Sequence, residues 1–399
     1  MKRRHDTKWL MRTRGNGGER VTHVELFFDL VYVFAVTQLS HRLIDHLSIH
    51  GALQTLILLM AVWWVWMYTT WFTNWFDPSR PSVRLVLIGI MLGSLVMSTA
   101  IPTAFEDRAL VFAGAYVAMQ VGRNLWGILA LAHDRTLRSS FQRITAWSLA
   151  AGALWIAGAL ADGTMRELIW IAALVVDYAG PAVGYVTPGL GRSTTQDWSI
   201  MGEHMAERCQ LFMIVALGES IIVTGSTYAD LPFSASVTAA FVAAFVGSVA
   251  VWWIYFAHNA ELSTHVIEES NDPGRLGRSA YTYFHVPMVA GIIVAAVGDE
   301  LTIAHSTGSA DAATVWTLLG GVGLFLAGHA LFLRVILDRW HWPRLIAVAL
   351  LLAMTPFGSR LSPLQVAFVV LAIVVALAAV DSWQIRDLQK EVAEAASSR

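Results

Sequence analysis

Long apolar stretches separated by short polar ones recur along the whole chain. A helix needs about 20 apolar residues to cross a bilayer. About twelve stretches reach that length, near 24–47, 51–75, 83–104, 108–132, 141–160, 166–187, 205–227, 235–258, 280–302, 313–335, 343–357 and 362–383. Pro343 and Pro356 leave the eleventh short. The longest polar stretches, around 188–202 and 259–279, are ordinary loops, and no linker resembles a soluble domain. The pattern predicts an all-α, polytopic transmembrane protein of about twelve spans.

The same pattern echoes itself. Glu25 opens the first span as Glu207 opens the seventh, and Trp63-Trp64 in the second is answered by Trp252-Trp253 in the eighth. Gly122-Arg123 in the fourth matches Gly328-His329 in the tenth, and Asp177 in the sixth has a counterpart in Asp381 at the end of the twelfth. These echoes predict two six-helix halves. Because six is even, both halves enter the membrane the same way, so the repeat is parallel. The expected organisation is a basic arm (1–23), a first half (24–187), a cytoplasmic linker (188–204), a second half (205–383) and a cytoplasmic tail (384–399).

Composition narrows the class. With 56% hydrophobic and 14% charged residues, the chain departs from soluble domains, which carry about 25% charged residues. Its net charge of −2 gives no nucleic-acid footprint. One cysteine, Cys209, excludes an internal disulfide and any multi-cysteine metal site. Seventeen tryptophans suit a protein anchored at two membrane interfaces, and the Trp runs read mainly as such a belt, although Trp63, Trp64 and Trp66 stand too close together for all of them to anchor. The first 20 residues hold seven Lys/Arg without an apolar core, so they read as a cytoplasmic lead-in, not a signal peptide. With the N-terminus in the cytoplasm, only Arg42, Arg108, Arg166 and Arg360 fall outside, and Arg123 lies within a span. That asymmetry predicts an inner-membrane protein with both termini cytoplasmic.

The residues that carry these echoes also resemble a known family. Glu-Leu-Phe-Phe-Asp-Leu-Val-Tyr-Val-Phe-Ala-Val-Thr-Gln-Leu-Ser-His (25–41) and Glu-Arg-x-x-Leu-Phe-x-Ile-x-Ala-Leu-Gly-Glu-Ser (207–220) resemble signatures of the bacterial low temperature requirement A proteins. Trp71-Phe-Thr-Asn-Trp75 and Gln120-Val-Gly-Arg-Asn-Leu-Trp126 fit as well. The resemblance implies a polytopic inner-membrane protein associated by name with growth in the cold. It carries over no reaction, substrate or catalytic roles.

Candidate chemistry lies in the polar residues inside the spans, because a charge there costs roughly 2.5–3.5 kcal/mol on insertion scales and needs a partner. Glu25 and Asp29 share one face of the first span, a turn apart. A helix-start role explains Glu25 well and Asp29 only partly. Arg123 must pair or reach water. It reads either as a structural ion pair with Asp29 or Glu25 or as an anchor for an anionic substrate. Asn124 lies beside it, and His258, His285 and His329 fall at a similar depth. Glu219 sits deep in the seventh span, about 18 Å along the axis from Glu207. It is a candidate proton carrier or a carboxyl bonded to a neighbouring helix. Glu203-His204-x-x-Glu207 matches no recognised metallopeptidase spacing, so no metal and no cofactor are expected.

The leading reading is a proton-coupled transporter or channel-like protein for a small solute or ion. Asp29 and Glu219 would exchange protons, and Arg123 would be the counter-charge or anion anchor. The alternative is an intramembrane enzyme acting on a lipid or isoprenoid-like substrate with paired carboxylates as acid and base. A structural or sensory protein with a filled interior is a third class. Expected partners are the lipid bilayer and a small solute, ion or lipid, with no nucleic acid, and self-association stays open.

Overall fold

The computed structural model describes residues 9–12, 20–132, 134–195, 200–257 and 259–397, with side chains for all of these except 259 and 385–397. His258 lies outside the described residues. Twelve long helices follow the apolar stretches. In the N-terminal part they are α1 (His23–Asp45), α2 (Ile49–Trp75), α3 (Pro81–Ala100), α4 (Ala109–Ala130), α5 (Arg135–Leu160) and α6 (Gly163–Ala182). Next come α7 (Gly202–Ala229) and α8 (Ala235–Phe256). The stretch 259–279, expected as an ordinary loop, is mostly helical: two short helices, α9 (Asn259–Glu268) and α10 (Pro273–Leu276), lead through a π-helical stretch, Gly277–Tyr283, into α11 (His285–Ala304). The rest are α12 (Ala312–Leu337), α13 (Trp342–Gly358) and α14 (Pro363–Ser397).

Nine helical segments among the described residues are long and apolar enough to cross a membrane by length and composition. Helices α4 and α6 are not among them. They carry Gln120, Arg123 and Asn124, and Arg166, Glu167 and Asp177. Helix α13 is also shorter, at 17 residues, with Pro356 in its last turn. Polar residues turn inward while large apolar ones face out: Glu25 and Asp29 are buried on α1, whereas Phe27 and Leu30 are 60% and 62% exposed. Such an outward apolar surface suits lipid, and the chain is a membrane protein.

Two compact units divide the chain: Met1–Leu211 with Glu268–Arg278, and Phe212–Ile267 with Ser279–Arg399. In the first, six helices alternate in direction. At one end, buried Arg42 near the close of α1 donates to the Pro102 carbonyl after α3 and to Gln54 near the start of α2, at 2.8 Å in the latter case. Arg166 at the start of α6 donates to the Glu106 carbonyl at 3.1 Å. At the other end, Phe72, Phe76, Val83, Leu131 and Phe141 form one cluster from the close of α2 and α4 and the start of α3 and α5.

In the second unit α11 and α12 pack backbone to backbone. A Cβ at Gly291 would stand 2.4 Å from the Phe325 nitrogen, one at Gly321 2.5 Å from the Ala295 nitrogen, and one at Gly298 2.8 Å from the Leu318 nitrogen. Close approach through small residues is how membrane helices associate where lipid removes the hydrophobic drive between them.

Several tryptophans correct the expectation of an interfacial belt. Trp63, Trp64 and Trp66 are at most 1% exposed, and Trp155 and Trp170 are fully buried. Their indole N–H groups explain part of this, because each is a donor that an enclosed acceptor can use. Trp66 donates to Asp29 at 2.8 Å and Trp155 to Asp177 at 3.1 Å. Trp316, Trp342 and Trp383, at 56%, 65% and 64% exposed, are among those free to anchor in an interface.

Candidate functional site

Three polar assemblies stand out, two in the first unit and one in the second, together with one cavity. The first is built on the buried face of α1. Glu25 accepts from the Thr22 N–H at 2.8 Å, which closes the first turn, and from Arg12 at 2.9 and 3.0 Å. His204 of α7 approaches the same carboxylate at 2.8 Å, and Asn74 of α2 reaches the other ring nitrogen of that histidine at 3.1 Å. One turn along, Asp29 receives both arms of Arg208, at 2.7 and 2.9 Å, and the Trp66 indole. Arg208 also donates to the Glu25 carbonyl at 3.0 Å. Its guanidinium lies 5.4 Å from the Trp66 ring centroid and 5.7 Å from that of Phe28. Glu207 stands apart from the carboxylates and accepts the Val21 N–H at 2.9 Å.

Arg123 is not the partner of these acids, contrary to expectation. Helix α1 packs mainly on α2 and α3, whereas α4 packs on α3, α5 and α2, so the two are not principal neighbours. The cation that meets Asp29 comes from α7 instead, 179 positions along the chain. Arg123 is buried and builds the second assembly without a carboxylate in contact among the described residues. It donates to the Thr69 hydroxyl at 3.2 Å and to the Gln120 side-chain carbonyl, and its guanidinium lies 5.3 Å from the Tyr68 ring. The Gln120 amide donates to the Tyr116 hydroxyl at 3.4 Å, which donates to Asp177 at 2.6 Å. A buried cation thus reaches a buried anion through two neutral groups, every hydrogen bond pointing from cation to anion. Asn124 lies outside that chain and bonds Ser148 of α5 at 3.1 Å.

His285 and His329 belong to the third assembly, in the second unit. The His285 Nδ1 lies 3.2 Å from the Ala280 carbonyl and so carries the proton, leaving Nε2 to accept from the Tyr255 hydroxyl at 2.9 Å. His329 accepts from Arg344 at 3.2 Å, and Arg344 meets Asp381 at 2.8 Å. The loop residue His341 accepts from the same guanidinium at 2.7 Å. Burial and then the Arg344 charge push the His341 imidazole down to about 4, so it stays a neutral acceptor at pH 7. No three His, Cys, Asp or Glu side chains converge as a metal site among the described residues.

The cavity lies in the second unit, about 50 Å³ in volume, among α7, α8, α11, α12 and α14. Its polar wall consists of Ser220, Ser248 and Asp299, and most of the remainder is aliphatic apart from Phe325. Glu219 is fully buried on α7 beside Ser220. The Asp299 carboxylate makes no hydrogen bond and no ion pair among the described residues. Sequence reasoning passed over it, since it falls three positions before the expected end of the ninth span, where an acid looks interfacial. A signal was present, however. Gly291, Ala295 and Asp299 recur every fourth residue, a stripe of small residues ending in a carboxylate, and all three line the cavity.

A family model described as bacterial low temperature requirement A protein matches residues 20–379. An uncharacterized protein of Rhizobium meliloti (strain 1021) is 37% identical over 373 residues, covering 92% of this chain and 91% of its own length. No solved structure matches the chain.

Proposed function

The chain belongs to the bacterial low temperature requirement A family, and from that premise we propose that it is a transporter moving a small solute or ion across the membrane. The observation that carries this reading is Asp299. It is an acid within a helical segment long and apolar enough to cross a membrane, its side chain without a partner among the described residues, on the wall of a partly open cavity. Intramembrane acids that serve structure alone are paired, as Asp29 is with Arg208; one left facing a cavity marks a path for protons or cations. Glu219, next to the wall, is placed to share in that exchange. The inner membrane, with both termini cytoplasmic, is the setting proposed with it. Its support is that the alternating helices put Arg42 and Arg166 at one end of the first unit and Arg12, Arg80 and Arg143 at the other.

The test is charge and proton movement in proteoliposomes, with imposed gradients of sodium, potassium, ammonium, small alkylammonium ions and small carboxylates. At least one gradient should drive movement in the natural protein, and Asp299→Asn should remove it while the protein stays folded. Vesicles silent to the whole panel, or an Asp299→Asn variant as active as the natural protein, would refute transport through this site.

A further inference from the structure

We infer that the cavity beside Asp299 binds a small alkylammonium cation of about four or five non-hydrogen atoms, a cargo class that rests on the transport reading above.

Charge sets the first limit. Asp299 is the one ionisable group on the lining, so the cavity offers a single negative charge and fits a monovalent cation. Ligand number sets the second. A hard metal ion such as calcium collects about six to eight oxygens. The wall supplies one carboxylate and the hydroxyls of Ser220 and Ser248, neither of which forms a hydrogen bond among the described residues. A primary ammonium has three N–H donors, and the wall carries three oxygen-bearing side chains to receive them.

The rest of the wall argues for an organic body on that cation. Leu217, Val251, Leu318, Val322, Val370 and Val374 are apolar and would leave the shell of a hydrated metal ion without partners. They suit an alkyl chain, and Phe325 adds an aromatic face of the kind that attracts ammonium groups. Volume sets the length. A water needs roughly 10–15 Å³ of such space, so about 50 Å³ holds roughly four, the size of n-propylammonium. Glycine makes part of the room: Gly247 lines the cavity, and a Cβ there would meet no atom within 4 Å.

Binding of n-propylammonium chloride to the purified full-length protein in detergent tests this by isothermal calorimetry, with sodium chloride and neutral n-propanol as controls. The expected result is saturable binding of the amine alone. Asp299→Asn should weaken it at least tenfold, and Ser248→Ala several-fold. Gly247→Val, which adds volume where there is space, should weaken it with Asp299 intact, so the result survives if Asp299→Asn fails to fold. Binding that sodium reproduces, that n-propanol matches, or that survives both Asp299→Asn and Gly247→Val overturns the amine site. Amine binding with vesicles silent to every gradient would keep this site and sink transport. Flux driven by another solute, with no amine binding, would do the reverse.

Discussion

The ion pair between Asp29 and Arg208 should be costly to halve and far cheaper to remove whole. Both side chains are buried, at 3% and 0% exposure, and they meet through two bonds of 2.7 and 2.9 Å. Arg208→Leu leaves Asp29 with the Trp66 indole alone, one turn from the charge of Glu25. Asp29→Leu leaves the guanidinium with the Glu25 carbonyl and two aromatic faces. Breaking a buried pair by removing one partner costs about 3–5 kcal/mol, whereas replacing both with apolar groups is often near neutral. Two singles of that size would add to about 6–10 kcal/mol, enough to unfold most domains. The double variant Asp29→Leu/Arg208→Leu should instead retain folded protein, with a coupling of 2 kcal/mol or more. The chain supplies its own probe. Its single cysteine, Cys209, is buried beside Arg208 in sequence, so a thiol-reactive dye reports unfolding during a thermal ramp in detergent. If the double variant loses as much as the two singles combined, the pair is not coupled and the cluster argument fails.

Two further outcomes follow from local geometry. Gly321→Ala should lower the melting temperature clearly, because its Cβ would meet the Ala295 backbone nitrogen at 2.5 Å, while Gly320→Ala, with only the Trp316 ring at 3.8 Å, should be tolerated; overpacking costs typically 1–3 kcal/mol, and equal melting of the two variants would contradict the backbone contact. Asp311 caps α12 by accepting the Thr314 N–H at 2.8 Å, so Asp311→Ala should cost about 1 kcal/mol at pH 7. The Thr314 hydroxyl and N–H hold the Asp311 carboxyl below its usual range, so this stability is present above the unfolded value near 4 and is lost as pH falls through the lower folded value. Melting curves from pH 7 to pH 3 should therefore show the gap between Asp311→Ala and the natural protein closing only below about pH 4; a gap unchanged by acid would contradict the cap.

Helix positions were legible in the sequence and partners were not, for one physical reason. Span length is a local property, read from consecutive residues, and eleven of the twelve expected stretches coincide with helices to within about six residues at their ends, while α14 continues from the expected end at 383 to Ser397. Partnership depends on which helix faces which. Glu25 and Asp29 stood out as acids that needed cations, but the cations proved to be Arg12, from the basic arm, and Arg208, near the start of α7. His204 was noticed only as part of a weak metal spacing, and it serves as a neighbour of Glu25. Asp381 was singled out as an echo of Asp177, whereas its contact with Arg344 is visible only once α13 lies against α14. The tryptophans misled in the same way. Their number suggested interfaces, and the use of their N–H groups by enclosed carboxylates is a tertiary fact.

The pattern of satisfaction among buried charges distinguishes holding from working. In the first unit every buried ionic side chain among the described residues has hydrogen-bond partners within the protein. Glu25 and Asp29 are matched by Arg12 and Arg208, and Arg42, Arg143 and Arg166 each donate to a backbone carbonyl. Arg123 and Asp177 show how far this goes. They lack direct contact, yet Gln120 and Tyr116 carry a directed hydrogen-bond chain between them. A bound ligand would have to break such bonds to enter, and each broken bond to a charged group forfeits about 1.5–3 kcal/mol. Asp299 presents the opposite case. Its carboxylate has no protein bond to break among the described residues, and it faces space instead of a guanidinium. Occupation there satisfies an acceptor that the fold leaves open, so a cation gains its full interaction at that site. By this argument the four-residue spacing of Glu25 and Asp29, the most conspicuous feature of the sequence, holds helices together, and the proposed exchange of ions is assigned to an acid that hydropathy alone gave no reason to notice.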